Sequence, residues 1–210
     1  PGLLSHYPDE VKGELPKLHK LHSRWPLRKY RRNLCVHGHF NRARKTGVLD
    51  YYPDADQYIT VLRDPFALKV SLYNFIKRVE RNGASDPCWS SAFRDGKAHP
   101  IIRNQWSLED YLEASPESLL LNFFPLEMTA DNYQELLDNM FLFVGVSERL
   151  QETVDAMASV LGFDSMLVGN ENISAERTLS IPDEKGRPVF EHFNSLDVAI
   201  YRYACDKLSF

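Results

Sequence analysis

The chain has 210 residues, of which 43% are hydrophobic and 26% charged, and its formal net charge is −4. These proportions suit one soluble domain with a full core, or two small ones, and exclude a disordered chain, a collagen or a coiled coil. The longest apolar run, Met140 to Val146, has the length of a strand, not the roughly 20 residues of a membrane helix, so no membrane span is expected. From Pro1 onward the sequence lacks the basic, apolar and small-residue zones of a secretory signal. Cys35, Cys88 and Cys205 lie far apart and form neither a disulfide framework nor a metal-ligand spacing, which points to a reducing, cytoplasmic setting.

Charge is distributed unevenly. Between Leu15 and Leu49 there is no Asp or Glu, while that window holds ten of the 25 basic residues and four of the seven histidines: His19, His22, His37 and His39. A block this one-sided suits an anionic ligand such as a nucleotide, a sulfated polymer or nucleic acid. The alternative is a solvated basic face balanced by acidic helices.

Leu34-Cys35-Val36-His37 reads as a short buried strand closed by Gly38, and Tyr58 to Leu62 as a second. Arg63-Asp64-Pro65 follows, with Asp64 placed as N-cap and Pro65 at the first helical position, so a helix is predicted to about Arg81 and to stop at Asn82-Gly83. From Asn82 to Trp106 periodicity vanishes, giving a long loop suited to an acceptor-binding lid. Short helices are expected at about Leu108–Ala114 and Asn132–Asn139, the latter opened by Asp131 and Gln134. Phe141 to Val146 reads as a third strand, running into Ser147 as N-cap and a helix with Leu150, Val154, Met157 and Leu161 on one face, ended by Gly162. After a polar segment around Asn170–Lys185, a final helix is predicted over about Val189–Leu208. Continuously apolar strands followed closely by helices indicate βα units around a parallel sheet in a single α/β domain spanning 1–210. Ligands are then expected at the carboxyl ends of the strands.

Arg63 stands at such an end, beside the amide groups and positive dipole of a helix N-terminus. Ser71 lies seven residues past the cap, two turns on and on nearly the same face, so Arg63 and Ser71 could hold one phosphate together. The plainer alternative pairs Arg63 with Asp64 or a neighbour.

The string Val61 to Tyr73, VLRDPFALKVSLY, resembles the 3′-phosphate-binding strand and helix of sulfotransferases, R-[DN]-P-x-x-R-x-x-S-x-Y. Phe143 to Leu150, FVGVSERL, is similar to a later strand-helix unit of that family, and the layout from Asn172 to Tyr201 is similar to its C-terminal part. The likeness spans roughly residues 34 to 208 and is strongest for carbohydrate and heparan sulfate 2-O-sulfotransferases. It implies a P-loop-type three-layer fold, a central parallel sheet flanked by helices, and sulfuryl transfer from 3′-phosphoadenosine 5′-phosphosulfate (PAPS) to an acceptor hydroxyl, with a carbohydrate as the expected acceptor. The product nucleotide is then 3′-phosphoadenosine 5′-phosphate (PAP), and no metal is required.

On this resemblance Arg63 and Ser71 hold the 3′-phosphate, while the pattern's second arginine falls on Leu68, with Lys69 beside it. Cys35 to Phe40, CVHGHF, resembles the stretch that supplies the catalytic histidines of 2-O-sulfotransferases, which makes His39 the first candidate for general base and His37 the second. Half of a metal site and a hydrogen-bonded strand end are the other readings of that pair. Arg42 and Arg44, with Arg28, Arg31 and Arg32, are candidate contacts to an acidic glycan. Trp89 and Trp106, with Phe93 and His99, could stack on an acceptor or simply pack the loop.

The family's opening strand and 5′-phosphosulfate loop, a PKTGS/T pattern, has no counterpart from Pro1 onward. Either that unit lies upstream or it has been lost, and the second case leaves a non-catalytic nucleotide- or glycan-binding domain. No nucleic-acid-binding module is recognisable, so nucleic acid is not an expected partner. Animal members of the family reside in the Golgi lumen, the alternative to a cytoplasmic location. There the sequon Asn172-Ile173-Ser174 would matter.

Overall fold

Residues 2–6, 34–94, 96–114, 118–169 and 184–208 are described by the structure, a computed structural model. They form a mixed α/β architecture that divides into two compact units, one holding residues 1–57 and 120–128, the other residues 58–119 and 129–210.

In the first unit, strand β1 (Gly2–His6) pairs in parallel with β2 (Leu34–Gly38), in a register that sets Leu3 against Cys35 and Ser5 against His37. Strand β1 was not expected from the sequence. Past β2 the chain closes a tight turn, with Asn41 and Thr46 exchanging backbone hydrogen bonds of 3.0 Å around a 3-10 turn at Arg42–Arg44. Helix α1 (Val48–Tyr51) follows, and Phe40 contacts the rings of both Tyr51 and Tyr52.

The second unit is built on β3 (Tyr58–Leu62) and helix α2 (Pro65–Asn82). Asp64 caps α2 as expected, its Oδ1 accepting from the Phe66 and Ala67 amides at 2.9 and 3.4 Å, an interaction worth about 1 kcal/mol. Gly83 ends the helix at φ 58°, where a side chain would be strained. One stripe of α2 supplies two core clusters. Phe66 and Val70 meet Leu112, Phe190 and Val198, while Ile76 meets Ile101 and Tyr111. Lys69 is also drawn into the interior at 1% exposure, its ammonium 5.4 Å from the Tyr111 ring centroid.

The segment from Asn82 to Trp106 has local structure of its own. Beyond 3-10 turns it carries a two-residue hairpin, β4 (Phe93–Arg94) with β5 (Lys97–Ala98), and helix α3 (Pro100–Arg103), whose fully buried Ile101 anchors it to α2. Asp86 fastens its start, accepting from Asn82 Nδ2 and the Cys88 amide at 3.0 and 2.8 Å. Those donors hold its carboxyl below the usual aspartate value.

Helix α4 (Leu108–Ala114) has the expected bounds. Helix α5 (Tyr133–Met140) begins one residue later than predicted, and Asn132, not Asp131, shapes its entry by accepting from the Thr129 amide at 2.7 Å. Strand β6 (Phe141–Val146) matches its prediction and pairs in parallel with β3, Leu62 facing Val146. Strand β3 is not continuously buried, since Ile59 and Val61 are exposed while Leu62 is not.

After β6 a 3-10 turn, Ser147–Arg149, replaces the expected serine cap and leads into α6 (Leu150–Leu161). The buried residues of α6 are Thr153 and Ala158; of the expected apolar face Val154 and Met157 are half-buried, whereas Leu150 and Leu161 are exposed. Thr153 is the reason: its buried Oγ1 both accepts from the Val146 amide at 3.0 Å and donates to the Val146 carbonyl at 2.8 Å. Gly162 terminates α6 in the left-handed region, as expected.

The single C-terminal helix expected over 189–208 is two helices, α7 (Arg187–Phe193) and α8 (Ser195–Lys207), separated at Asn194. There the backbone leaves the helical region, at φ −124° and ψ 37°, and the Phe190 carbonyl accepts from both the Asn194 amide and its side-chain Nδ2, at 2.9 and 3.0 Å.

Candidate functional site

Because β3 and β6 run parallel, their carboxyl ends lie side by side, and the residues that follow them meet. Arg63 leaves β3 with an exposed side chain and donates from Nη1 to Ser71 Oγ at 3.5 Å, a long contact that still places both groups together. The contact brings together the two residues that the sequence relates across two helical turns. Among the described residues Arg63 pairs with no carboxylate, and the neighbour it might have bound, Asp64, is engaged by Arg187 at 2.9 Å.

The helix N-terminus itself is less open than the sequence suggests. Pro65 has no amide hydrogen, the Phe66 and Ala67 amides are taken by Asp64, and the Leu68 amide donates to the Asp64 carbonyl at 2.8 Å. Any anion here is held by side chains, with the dipole as background. Lys69, the cation nearest the pattern's missing arginine, is buried and directed toward Tyr111.

Three residues that sequence reasoning did not assign complete the turn. Glu148, two residues past β6, accepts from the Asp64 amide on Oε1 and from the Tyr201 hydroxyl on Oε2, both at 3.0 Å. Arg187 bridges Asp64 and Glu184, and its guanidinium lies 4.7 Å from the centroid of the Phe66 ring. The hydrogen bond that Arg187 donates to Glu184, and after it the one to Asp64, raises the Arg187 pKa against the opposing effect of burial. Tyr201 is held well above the usual tyrosine value, first by burial and then by its bond to Glu148, so its hydroxyl remains a donor. Glu148 lay in the FVGVSERL string, but nothing in the sequence marks partners 84 residues back at Asp64 and 53 residues on at Tyr201.

His37 and His39 are both exposed, alternating with the half-buried Val36, Gly38 and Phe40, so they share the outer side of one extended segment in the first unit. Arg42 is half-buried in the 3-10 turn, and Arg44 closes the same turn. Arg28, Arg31, Arg32 and the sequon at Asn172 lie outside the described residues. Trp106 belongs to the Ile76 core cluster, and its carbonyl accepts from the Tyr73 hydroxyl at 3.1 Å, a packing role. Trp89 lies edge-on to the exposed Phe93 with centroids 5.2 Å apart. His99 caps α3 through Nδ1, which accepts from the Ile101 amide.

A groove of about 490 Å³ is lined by Glu113, Pro188, Val189, His192 and Phe193, and neither Arg63 nor Ser71 lines it. Among the described residues no cluster of His, Cys, Asp and Glu could hold a metal ion, and no helix is long and apolar enough to cross a membrane. The parallel strand pairs and flanking helices define a mixed α/β class of protein. No family model, curated protein or solved structure matches the chain.

Proposed function

We propose that the chain is a PAPS-dependent sulfotransferase of the P-loop-type, three-layer fold, acting on a hydroxyl of an acceptor, most readily a carbohydrate. The observation that carries this reading is the Arg63–Ser71 pair at the carboxyl end of a parallel strand. A guanidinium and a hydroxyl side by side suit a phosphate monoester, with two charge-assisted hydrogen bonds from the arginine and one from the serine. The 3′-phosphate of PAPS is the group they would hold, and it distinguishes this nucleotide from ordinary adenosine phosphates.

PAPS would supply the sulfuryl group: the acceptor hydroxyl loses its proton as its oxygen bonds to sulfur, the bond from sulfur to the 5′-phosphate oxygen breaks, and PAP leaves. His39 is the proposed proton acceptor and His37 the second choice, roles that rest on the sequence resemblance alone. Arg42 and Arg44 are the proposed contacts to an acidic acceptor. Trp89 is the remaining aromatic candidate, because Trp106 serves the core.

Calorimetric titration of the chain with PAP, using adenosine 5′-phosphate as control, tests the reading without knowledge of the acceptor. Micromolar binding of PAP with far weaker binding of the control is expected. Equal affinity for the two nucleotides would remove the 3′-phosphate assignment and the proposal with it.

A further inference from the structure

The orientation of the peptide that follows Arg63 sets the direction in which its side chain leaves the backbone. That peptide's N–H belongs to Asp64, and among the described residues its acceptor is Glu148 Oε1 at 3.0 Å. The opposite carboxylate oxygen is occupied by the Tyr201 hydroxyl at 3.0 Å, which stops the carboxylate from rotating. Pairing of Leu62 with Val146 sets the two strand ends in register, so a residue two positions past β6 reaches an amide two positions past Leu62. The Asp64 carboxylate is unavailable for this task, since it caps α2 and pairs with Arg187.

We infer that Glu148, braced by Tyr201, is a positioning residue for the Arg63–Ser71 anion site, fixing the Arg63–Asp64 peptide and through it the direction of the guanidinium. The inference rests on the proposed nucleotide reading for its ligand but not for its geometry. There is a physical tension in it: a carboxylate beside a phosphate site repels the ligand, so its presence needs a compensating task. Holding the turn is such a task, and it requires an acceptor atom, not a charge. Gln provides the acceptor on Oε1 and can still pair with the Tyr201 hydroxyl.

The test compares Glu148→Ala and Glu148→Gln with the unaltered chain, titrating each with PAP and with adenosine 5′-phosphate. Glu148→Ala should lose about tenfold in PAP affinity with little change for the control, the scale of one lost hydrogen bond. Glu148→Gln should restore PAP affinity to the unaltered value or slightly above, because the repelling charge is gone. An electrostatic role alone would make both variants bind more tightly, and a general structural role would shift both nucleotides together; either result overturns the assignment. Hydrogen exchange at the Asp64 amide gives a second, ligand-free readout. Faster exchange in Glu148→Ala and normal exchange in Glu148→Gln is expected, and identical exchange in all three chains overturns the inference. If the unaltered chain shows no preference for PAP, the sulfotransferase reading fails, and exchange at Asp64 alone then decides the positioning role.

Discussion

Arg63→Ala should weaken PAP binding by about 10- to 100-fold, the range for losing charge-assisted hydrogen bonds to a phosphate, while affinity for adenosine 5′-phosphate stays nearly constant. Arg63 is exposed and holds no part of the core, so the variant should fold normally. Among the described residues its side chain makes one hydrogen bond, the long contact to Ser71, which leaves most of its donors for a ligand. Parallel calorimetric titrations of the two nucleotides measure the difference. Equal losses for both would show that Arg63 serves nucleotide binding in general, not the 3′-phosphate.

Gly145→Ala should be the most damaging small substitution in the second unit. A Cβ at that position would lie 2.2 Å from Thr153 Cγ2 and 2.9 Å from the Phe143 ring. Neither neighbour can yield easily, because Thr153 is fully buried and its hydroxyl is bound to Val146 on both sides. Overpacking of this kind costs about 1–3 kcal/mol, and here the upper end is expected, a fall in Tm of roughly 6–10 °C for a chain of this size. Thermal unfolding measures it. Adding Thr153→Ser, which deletes the clashing methyl and keeps the hydroxyl, should recover part of the loss, and no recovery would show that the methyl contact is not the cause.

What could be read from the sequence was local. The bounds of β3, β6 and α4 and the Asp64 cap followed from short apolar runs and capping residues whose partners lie within a few positions. Arg63 and Ser71 were legible for the same reason, since helical periodicity relates them. What escaped was decided by distant partners. Strand β1 exists through its pairing with β2, which starts 32 residues later in the register, and its five residues carry no signal strong enough alone. The break at Asn194 is a backbone departure from helical angles at one residue, where the apolar spacing continues undisturbed. Thr153 turned the buried face of α6 away from Leu150 and Leu161 because a polar side chain found both backbone groups of Val146. Glu148 and Arg187 reach Asp64, and Tyr201 reaches Glu148, across separations that periodicity cannot encode.

Phosphorus NMR of PAP addresses the central claim most directly, because the nucleotide's 3′- and 5′-phosphates give separate resonances. Titration with the unaltered chain should shift and broaden the 3′-phosphate resonance, and Arg63→Ala should abolish that shift. A response confined to the 5′-phosphate, or a 3′-phosphate response that survives Arg63→Ala, would contradict the assignment of Arg63 and Ser71 as the 3′-phosphate site.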